Sequence, residues 1–327
     1  MAVYAVAGAT TWGVTLASLL AANGHRVHLL CRTASEAEAI QRRRTIPRLP
    51  SVTLSESVSA IQTDHCPSEI AGVVLAVPST MFRENAQALS HLRDAPLLSA
   101  TKGIERGSLT RMSEIAIAMG WSPNQVCVLS GPNLAREILD GKPAATVIAG
   151  PADEAQRWQK AFQSPSFRVY ESDDVCGVET GGALKNVVAI AVGIAVGLDA
   201  GTNATAALMT RGLAEISRLG VALGAKPSTF LGLAGLGDLV ATCSSPLSRN
   251  RRLGQLLAQG YRLEQARESI GETIEGADAA PLAVELGRRT GVETPLTDAV
   301  AAILGGQETI DAATDRLLGR IPRRETP

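Results

Sequence analysis

Short apolar runs, each cut off by glycine, proline or serine, recur through the first half of this chain, as they do where strands are covered on both faces. Ala2–Ala7 (AVYAVA) ends in Gly8, Gly72–Val77 (GVVLAV) in Pro78-Ser79, and Leu97–Ala100 in Thr101-Lys102-Gly103. Val126–Ser130 ends in Gly131-Pro132-Asn133 and Thr146–Ala149 in Gly150-Pro151, with Val27–Leu30 as a further strand. Apolar residues at helical spacing run from Trp12 to Asn23, and Gly24 supplies the stop. Strands alternating with helices predict an α/β fold, a doubly wound parallel sheet of Rossmann type whose function lies at the carboxyl ends of its strands. After about Asp173 the pattern turns almost wholly helical, broken by glycine-rich turns such as Gly232–Gly237. A boundary near residue 175 therefore predicts a sheet domain over 1–175 and an all-α domain over 176–327, with a disordered tail after Arg320.

The 327 residues suffice for two domains, and 45 % apolar against 19 % charged residues is globular composition. A net charge of −1 provides no field for nucleic acid or an anionic membrane, so an anionic ligand has to be held by individual Lys and Arg residues. Cys31, Cys66, Cys127, Cys176 and Cys243 are scattered, without metal-ligand spacing, and read as small buried apolar residues. The amino terminus lacks a charged lead followed by an apolar stretch. The longest apolar run, Val187–Leu198, has 12 residues, whereas a membrane span needs about 20. These features predict a cytoplasmic protein without a membrane span or a metal.

Gly8-Ala9-Thr10-Thr11-Trp12-Gly13 stands where the first strand turns into a helix. A dinucleotide site needs GxGxxG there, for the turn, for close approach of the pyrophosphate and for helix–strand packing. Gly8 and Gly13 fit, while Thr10 occupies the middle position. An ordinary tight turn is the competing reading. If a cofactor binds, Thr10 is expected to weaken its binding by crowding the pyrophosphate, with its hydroxyl as a compensating donor. The second strand ends in Cys31-Arg32-Thr33 in place of the acidic residue that suits NAD, so Arg32 points to NADP or to dual use, with a solvated surface arginine as the competing reading.

Four elements carry candidate substrate chemistry. Lys185 and Asn186 open a strongly apolar helix, Asp238 follows a glycine-rich loop, and Lys102 follows a strand end. Ser248-Arg249-Asn250-Arg251-Arg252 concentrates donors before a helix, a pattern that suits a phosphate as well as a solvated face. His25, His28, His65 and His91 all lie in the first hundred residues, which makes a lysine the best candidate to exchange a proton with a carbonyl oxygen.

Together these blocks resemble the bacterial NAD(P)-dependent glycerol-3-phosphate dehydrogenases over almost the whole chain. The resemblance rests on AVPS at Ala76–Ser79, TKGIE at Thr101–Glu105 and SGPNLAREI at Ser130–Ile138. It continues through the blocks that start at Glu179, Ala204, Thr229 and Ser248, and ends at Glu275-Gly276. It implies reversible reduction of dihydroxyacetone phosphate to glycerol 3-phosphate by NAD(P)H, a supply for glycerophospholipid synthesis. It further implies Lys185 as proton donor and acceptor, with Lys102, Gly131, Asn133, Lys185, Asp238, Ser248, Arg249 and Asn250 on the substrate. Gly8, Thr11, Trp12, Gly13, Arg32, Lys102, Ala135, Arg249, Thr273 and Glu275 are implied for the cofactor, NADP or NAD. Asp238 would orient Lys185 or a substrate hydroxyl, and Asn133 would donate to a substrate oxygen. A two-domain hydroxy-acid dehydrogenase and a non-catalytic nucleotide-binding homologue are the rival readings. A homodimer is compatible with the apolar helices of the second half, which internal packing explains equally well.

Overall fold

The computed structural model describes residues 1–321, so nearly all of the tail expected to be disordered, residues 322–327, lies outside them. The chain divides into two compact units, one of residues 1–182 with 224–238, the other of residues 183–223 with the described residues from Leu239 onward.

The first unit is built on one eight-stranded sheet in the order β3-β2-β1-β4-β5-β6-β7-β8. Its strands are β1 (Val3–Ala7), β2 (Arg26–Cys31), β3 (Val58–Gln62), β4 (Gly72–Leu75), β5 (Leu97–Ser99), β6 (Val126–Ser130), β7 (Ala144–Ala149) and β8 (Phe167–Ser172). Helices α1 (Thr11–Ala22), α2 (Ala34–Arg43), α3 (Phe82–Ala88), α4 (Met112–Ala118), α5 (Ala135–Leu139) and α6 (Ala152–Phe162) connect them. β1 pairs in parallel with β2 on one side and β4 on the other, with Ala7 opposite Leu30 and Leu75. Successive strands build outward from β1 in one direction and then, from β4, in the other. That reversal opens a crevice beyond the ends of β1 and β4, where a doubly wound sheet binds its ligand.

One pairing departs from the parallel sheet expected. β7 runs antiparallel to β6, with Ser130 opposite Val147. The connection between them holds only the five-residue α5 and starts β7 at the end where β6 finishes, so the chain runs back alongside it. Beneath the sheet, Trp158 of α6 is fully buried against Tyr4 and Phe162, with ring centroids 5.5 and 6.2 Å away.

The remaining helices are α7 (Val175–Gly197), α8 (Gly201–Ala222), α9 (Asp238–Ser244), α10 (Arg249–Ala258), α11 (Leu263–Ile270), α12 (Glu275–Thr290), α13 (Pro295–Leu304) and α14 (Ile310–Leu318). α7 begins at Val175, so Lys185 lies in mid-helix and not at the helix start that the sequence suggested. The Gly181-Gly182 pair lies inside α7, and Gly181 serves close packing. A Cβ at Gly181 would lie 2.6 Å from the carbonyl oxygen of Ala234. α7 is also long and apolar enough to cross a membrane by length and composition, yet 89 % of its most apolar window is buried in protein.

In the second unit, the backbones of α7 and α10 almost touch. A Cβ at Gly193 would lie 2.1 Å from Arg251 O, and one at Gly254 would lie 2.1 Å from Ile190 O. Glu215 of α8 ties α13 to it, accepting from Leu296 N at 2.7 Å and from Thr297 N and Oγ1 at 3.1 and 3.0 Å. The glycine-rich segment Leu233–Gly237 forms a π-helical turn that runs into α9, where the sequence suggested a loop.

Candidate functional site

Gly8 leaves β1 with φ +111°, a conformation that side chains disfavour, and a Cβ there would lie 2.6 Å from Ala76 O. A Cβ at Gly13 would lie 2.0 Å from Gly8 O, so α1 packs directly on the turn. This cradle fits a dinucleotide pyrophosphate: two glycines bring backbone to backbone, and α1 presents its N-terminal N–H groups at the crevice. Thr11 opens α1, and Trp12 packs half-buried against the sheet core.

Thr10 adopts φ −91° and ψ 165°, extended backbone open to any residue, so its presence does not strain the turn. Its hydroxyl donates to Ala76 O at 2.9 Å and accepts from Gly13 N at 3.0 Å. The proton expected to be offered to a pyrophosphate therefore goes to the end of β4.

At the end of β2, Arg32 is exposed. Thr33 caps α2 by accepting from Glu36 N at 3.2 Å, and Glu36 accepts in return from Arg32 N at 3.1 Å. A carboxylate thus stands beside Arg32, contrary to the acid-free strand end read from the sequence.

A second cluster in the first unit gathers Lys102, Gly131, Asn133 and Asp238. Lys102 Nζ donates to Asp238 Oδ2 at 2.6 Å and to Gly131 O at 3.2 Å, and the Asp238 side chain is only 2 % exposed. Thr146 donates to Ser130 O at 3.1 Å and accepts from Asn133 Nδ2 at 2.9 Å. That chain fixes the Asn133 amide with its oxygen turned away from Thr146. Asn133 Oδ1 and the neighbouring Ser130 Oγ are buried oxygens without a hydrogen-bond partner among the described residues. Buried polar atoms are rarely left so, and a hydroxyl-bearing ligand would satisfy both. Asn133 thus has its amide oxygen available to accept from a ligand hydroxyl, whereas the sequence suggested donation. Ala135 begins the short α5 beyond this loop.

In the second unit, Lys185 and Thr242 are both buried, and Lys185 Nζ donates to Thr242 Oγ1 at 2.6 Å. Asn250 Nδ2 donates to Asn186 Oδ1 at 2.9 Å, and Asn250 Oδ1 accepts from Gly276 N at 2.9 Å. Asn186 Nδ2 in turn donates to Glu275 Oε2 at 3.1 Å, which links α7, α10 and the start of α12. Ser248 caps α10 by accepting from Arg251 N at 3.3 Å. Arg249, the first residue of α10, pairs with Glu272 at 3.5 Å, and both side chains are over a third exposed. Thr273, beside Glu272, is exposed.

The sequence reading missed Thr242, Thr146, Ser130 and Glu36. Thr242 follows Asp238 by four residues, one turn of α9, and that spacing was its only local signal. Also missed was Glu179, buried in α7. It accepts from Ser113 N and Oγ at 2.8 and 2.6 Å and from Arg111 Nη1 at 3.1 Å. Burial pushes its pKa up, while Arg111 and Ser113 pull the other way. It fastens the first turns of α7 to α4.

Comparison with known proteins gives a consistent result. Residues 4–156 match the profile of the NAD-dependent glycerol-3-phosphate dehydrogenase N-terminus, and residues 174–315 that of its C-terminus. A glycerol-3-phosphate dehydrogenase [NAD(P)+] of Corynebacterium aurimucosum is 46 % identical over 332 residues, covering 99 % of this chain and all of the relative. One of Stenotrophomonas maltophilia is 43 % identical over 330 residues, covering 99 % and 96 %. The crystal structure of glycerol-3-phosphate dehydrogenase from Coxiella burnetii superimposes with a TM-score of 0.92 at 35 % identity, covering 98 % of this chain and 99 % of that one.

Proposed function

The chain belongs to the NAD-dependent glycerol-3-phosphate dehydrogenase family, and from that premise we propose that it reversibly reduces dihydroxyacetone phosphate to glycerol 3-phosphate. The glycine turn of Gly8 and Gly13 would hold NADPH or NADH, which would supply the hydride. The observation that carries the reading is the Lys102–Asp238 pair set beside two buried, unsatisfied oxygens, Ser130 Oγ and Asn133 Oδ1. Together they offer a charge and several polar contacts to a small hydroxylated ligand.

Lys185, held by Thr242, gives the proton to the substrate oxygen in reduction and takes it back in oxidation. Lys102 lowers the energy of negative charge developing on that oxygen, and Asp238 holds the Lys102 ammonium in place. Arg249, on the Ser248-capped end of α10, takes the phosphate, and Asn250 orders that end of the helix through Asn186 and Gly276. Gly8, Gly13, Thr11 and Trp12 form the pyrophosphate cradle, and Arg32 faces the adenosine 2′ position. Ala135, Thr273 and Glu275 complete the cofactor contacts, with Lys102 and Arg249 close to both cofactor and substrate. The assignment of cofactor binding to residues 1–175 and of substrate binding and catalysis to 176–327 belongs to this proposal, although Lys102, Gly131 and Asn133 serve the substrate from the first part. So do a cytoplasmic location and the supply of glycerol 3-phosphate for glycerophospholipid synthesis.

The test is a substrate panel with the purified chain and either reduced cofactor. Oxidation with dihydroxyacetone phosphate, and far less with dihydroxyacetone or a 2-keto acid, is the expected result. Preference for the keto acid would move the chain to a hydroxy-acid dehydrogenase.

A further inference from the structure

The one departure in the glycine turn also carries hydrogen bonds to both elements that flank it. Thr10 stands where a dinucleotide cradle ordinarily has its middle glycine. Its hydroxyl bridges two elements at once, donating to Ala76 O just past β4 and accepting from Gly13 N in the first turn of α1. The Thr10 carbonyl also takes the first helical bond of α1, from Val14 N at 2.9 Å. A helix start has four N–H groups without helical partners, and these are what an anion at that start uses. Thr10 takes one of them. Its two bonds also pin the side chain over the helix end, where a glycine would leave open space.

We propose that Thr10 is an internal clasp on the cofactor cradle, which stabilises the ligand-free turn and competes with the dinucleotide pyrophosphate for the α1 N-terminus. The inference rests on the cofactor reading above and adds to it a coupling between stability and affinity. The pyrophosphate reaches the helix end only when the Thr10 side chain rotates away, which breaks the bonds to Ala76 O and Gly13 N together. What the clasp adds to the free protein it subtracts from cofactor binding. Because the backbone of Thr10 is extended, replacing it changes neither strain nor the path of the turn.

The test compares full-length Thr10→Ser, Thr10→Ala and Thr10→Gly with the unchanged chain. Two quantities are read: the melting temperature without ligand, and the dissociation constants of NADPH and NADH by calorimetric titration. Serine keeps the hydroxyl and is expected to match threonine in both. Alanine and glycine lose the clasp and are expected to melt about 2 °C lower. They are also expected to bind dinucleotide about fivefold tighter, the factor that one capping bond represents, with glycine the tighter of the two. Alanine and glycine variants that bind no tighter than the unchanged chain overturn the clasp while leaving the cofactor assignment standing. A serine variant that behaves like alanine also overturns it, because the hydroxyl would then be irrelevant. If no form of the protein binds either dinucleotide, the cofactor reading falls and the clasp with it.

Discussion

Lys185 Nζ lies 2.6 Å from Thr242 Oγ1, and both side chains are buried in the helical unit. A buried ammonium needs acceptors, and Thr242 supplies one to the lysine proposed to pass the proton. Thr242→Val preserves shape and removes the acceptor. It is expected to lower kcat by about 10- to 100-fold with KM nearly unchanged, and Thr242→Ser is expected to recover most of the loss. Steady-state kinetics check this. A variant that changes only KM would make Thr242 a substrate contact and not a holder of Lys185.

Arg249 is paired with Glu272, and a substrate phosphate bound as proposed would replace that carboxylate. Arg249→Ala is expected to raise KM for dihydroxyacetone phosphate by about tenfold or more and to erase most of the discrimination against dihydroxyacetone. Glu272→Gln is expected to lower KM, because the competing charge is gone. An unchanged phosphate preference in Arg249→Ala would remove Arg249 from phosphate binding.

Under the proposed function, cofactor choice rests on Arg32 and on the carboxylate of Glu36 that accepts from its backbone N–H. Arg32→Ala is expected to move the kcat/KM ratio about tenfold toward NADH, through loss of the 2′-phosphate contact. Glu36→Gln is expected to move it toward NADPH, by removing like charge near that phosphate. Ratios that do not move would place the 2′ position elsewhere.

Glu215 gives a pH signature. Burial pushes its pKa above the ordinary carboxylate value, while the N–H groups of Leu296 and Thr297, the Thr297 hydroxyl and Arg218 oppose the shift. The folded chain therefore keeps this proton where the unfolded chain has released it. The resulting stability is fully present below the ordinary glutamate pKa and is lost as pH rises through the raised folded value. Compared with Glu215→Gln, the unchanged protein should lose melting temperature as pH rises from about 4.3 toward neutrality. Parallel curves for the two proteins would contradict the shift.

What the sequence disclosed follows from what each position faces. β1, β4 and β6 are apolar on both faces and stand out as runs without alternation. β3 and β8 lie at the two edges of the sheet, and β8 alternates Phe167, Arg168, Val169, Tyr170, with every second residue exposed, so neither forms such a run. The reversed direction of β7 has no local signature, since a strand reads alike either way. Lys185, Asp238 and Arg249 drew attention because charge in an apolar or capping context is conspicuous. Their partners were not legible. Thr242 is 57 positions from Lys185, and Asp238 is 136 from Lys102, so only the fold joins them. Thr10 was legible as a departure, but the direction of its hydroxyl depends on where β4 ends.

The most direct measurement follows NADPH consumption by the purified protein and by Lys185→Ala at saturating dihydroxyacetone phosphate, with circular dichroism establishing that the variant is folded. The unchanged protein is expected to oxidise NADPH only when the phosphorylated ketone is present. The variant is expected to be slower by about 10²-fold or more. Turnover by Lys185→Ala at the rate of the unchanged protein would contradict the assignment of the proton to that lysine.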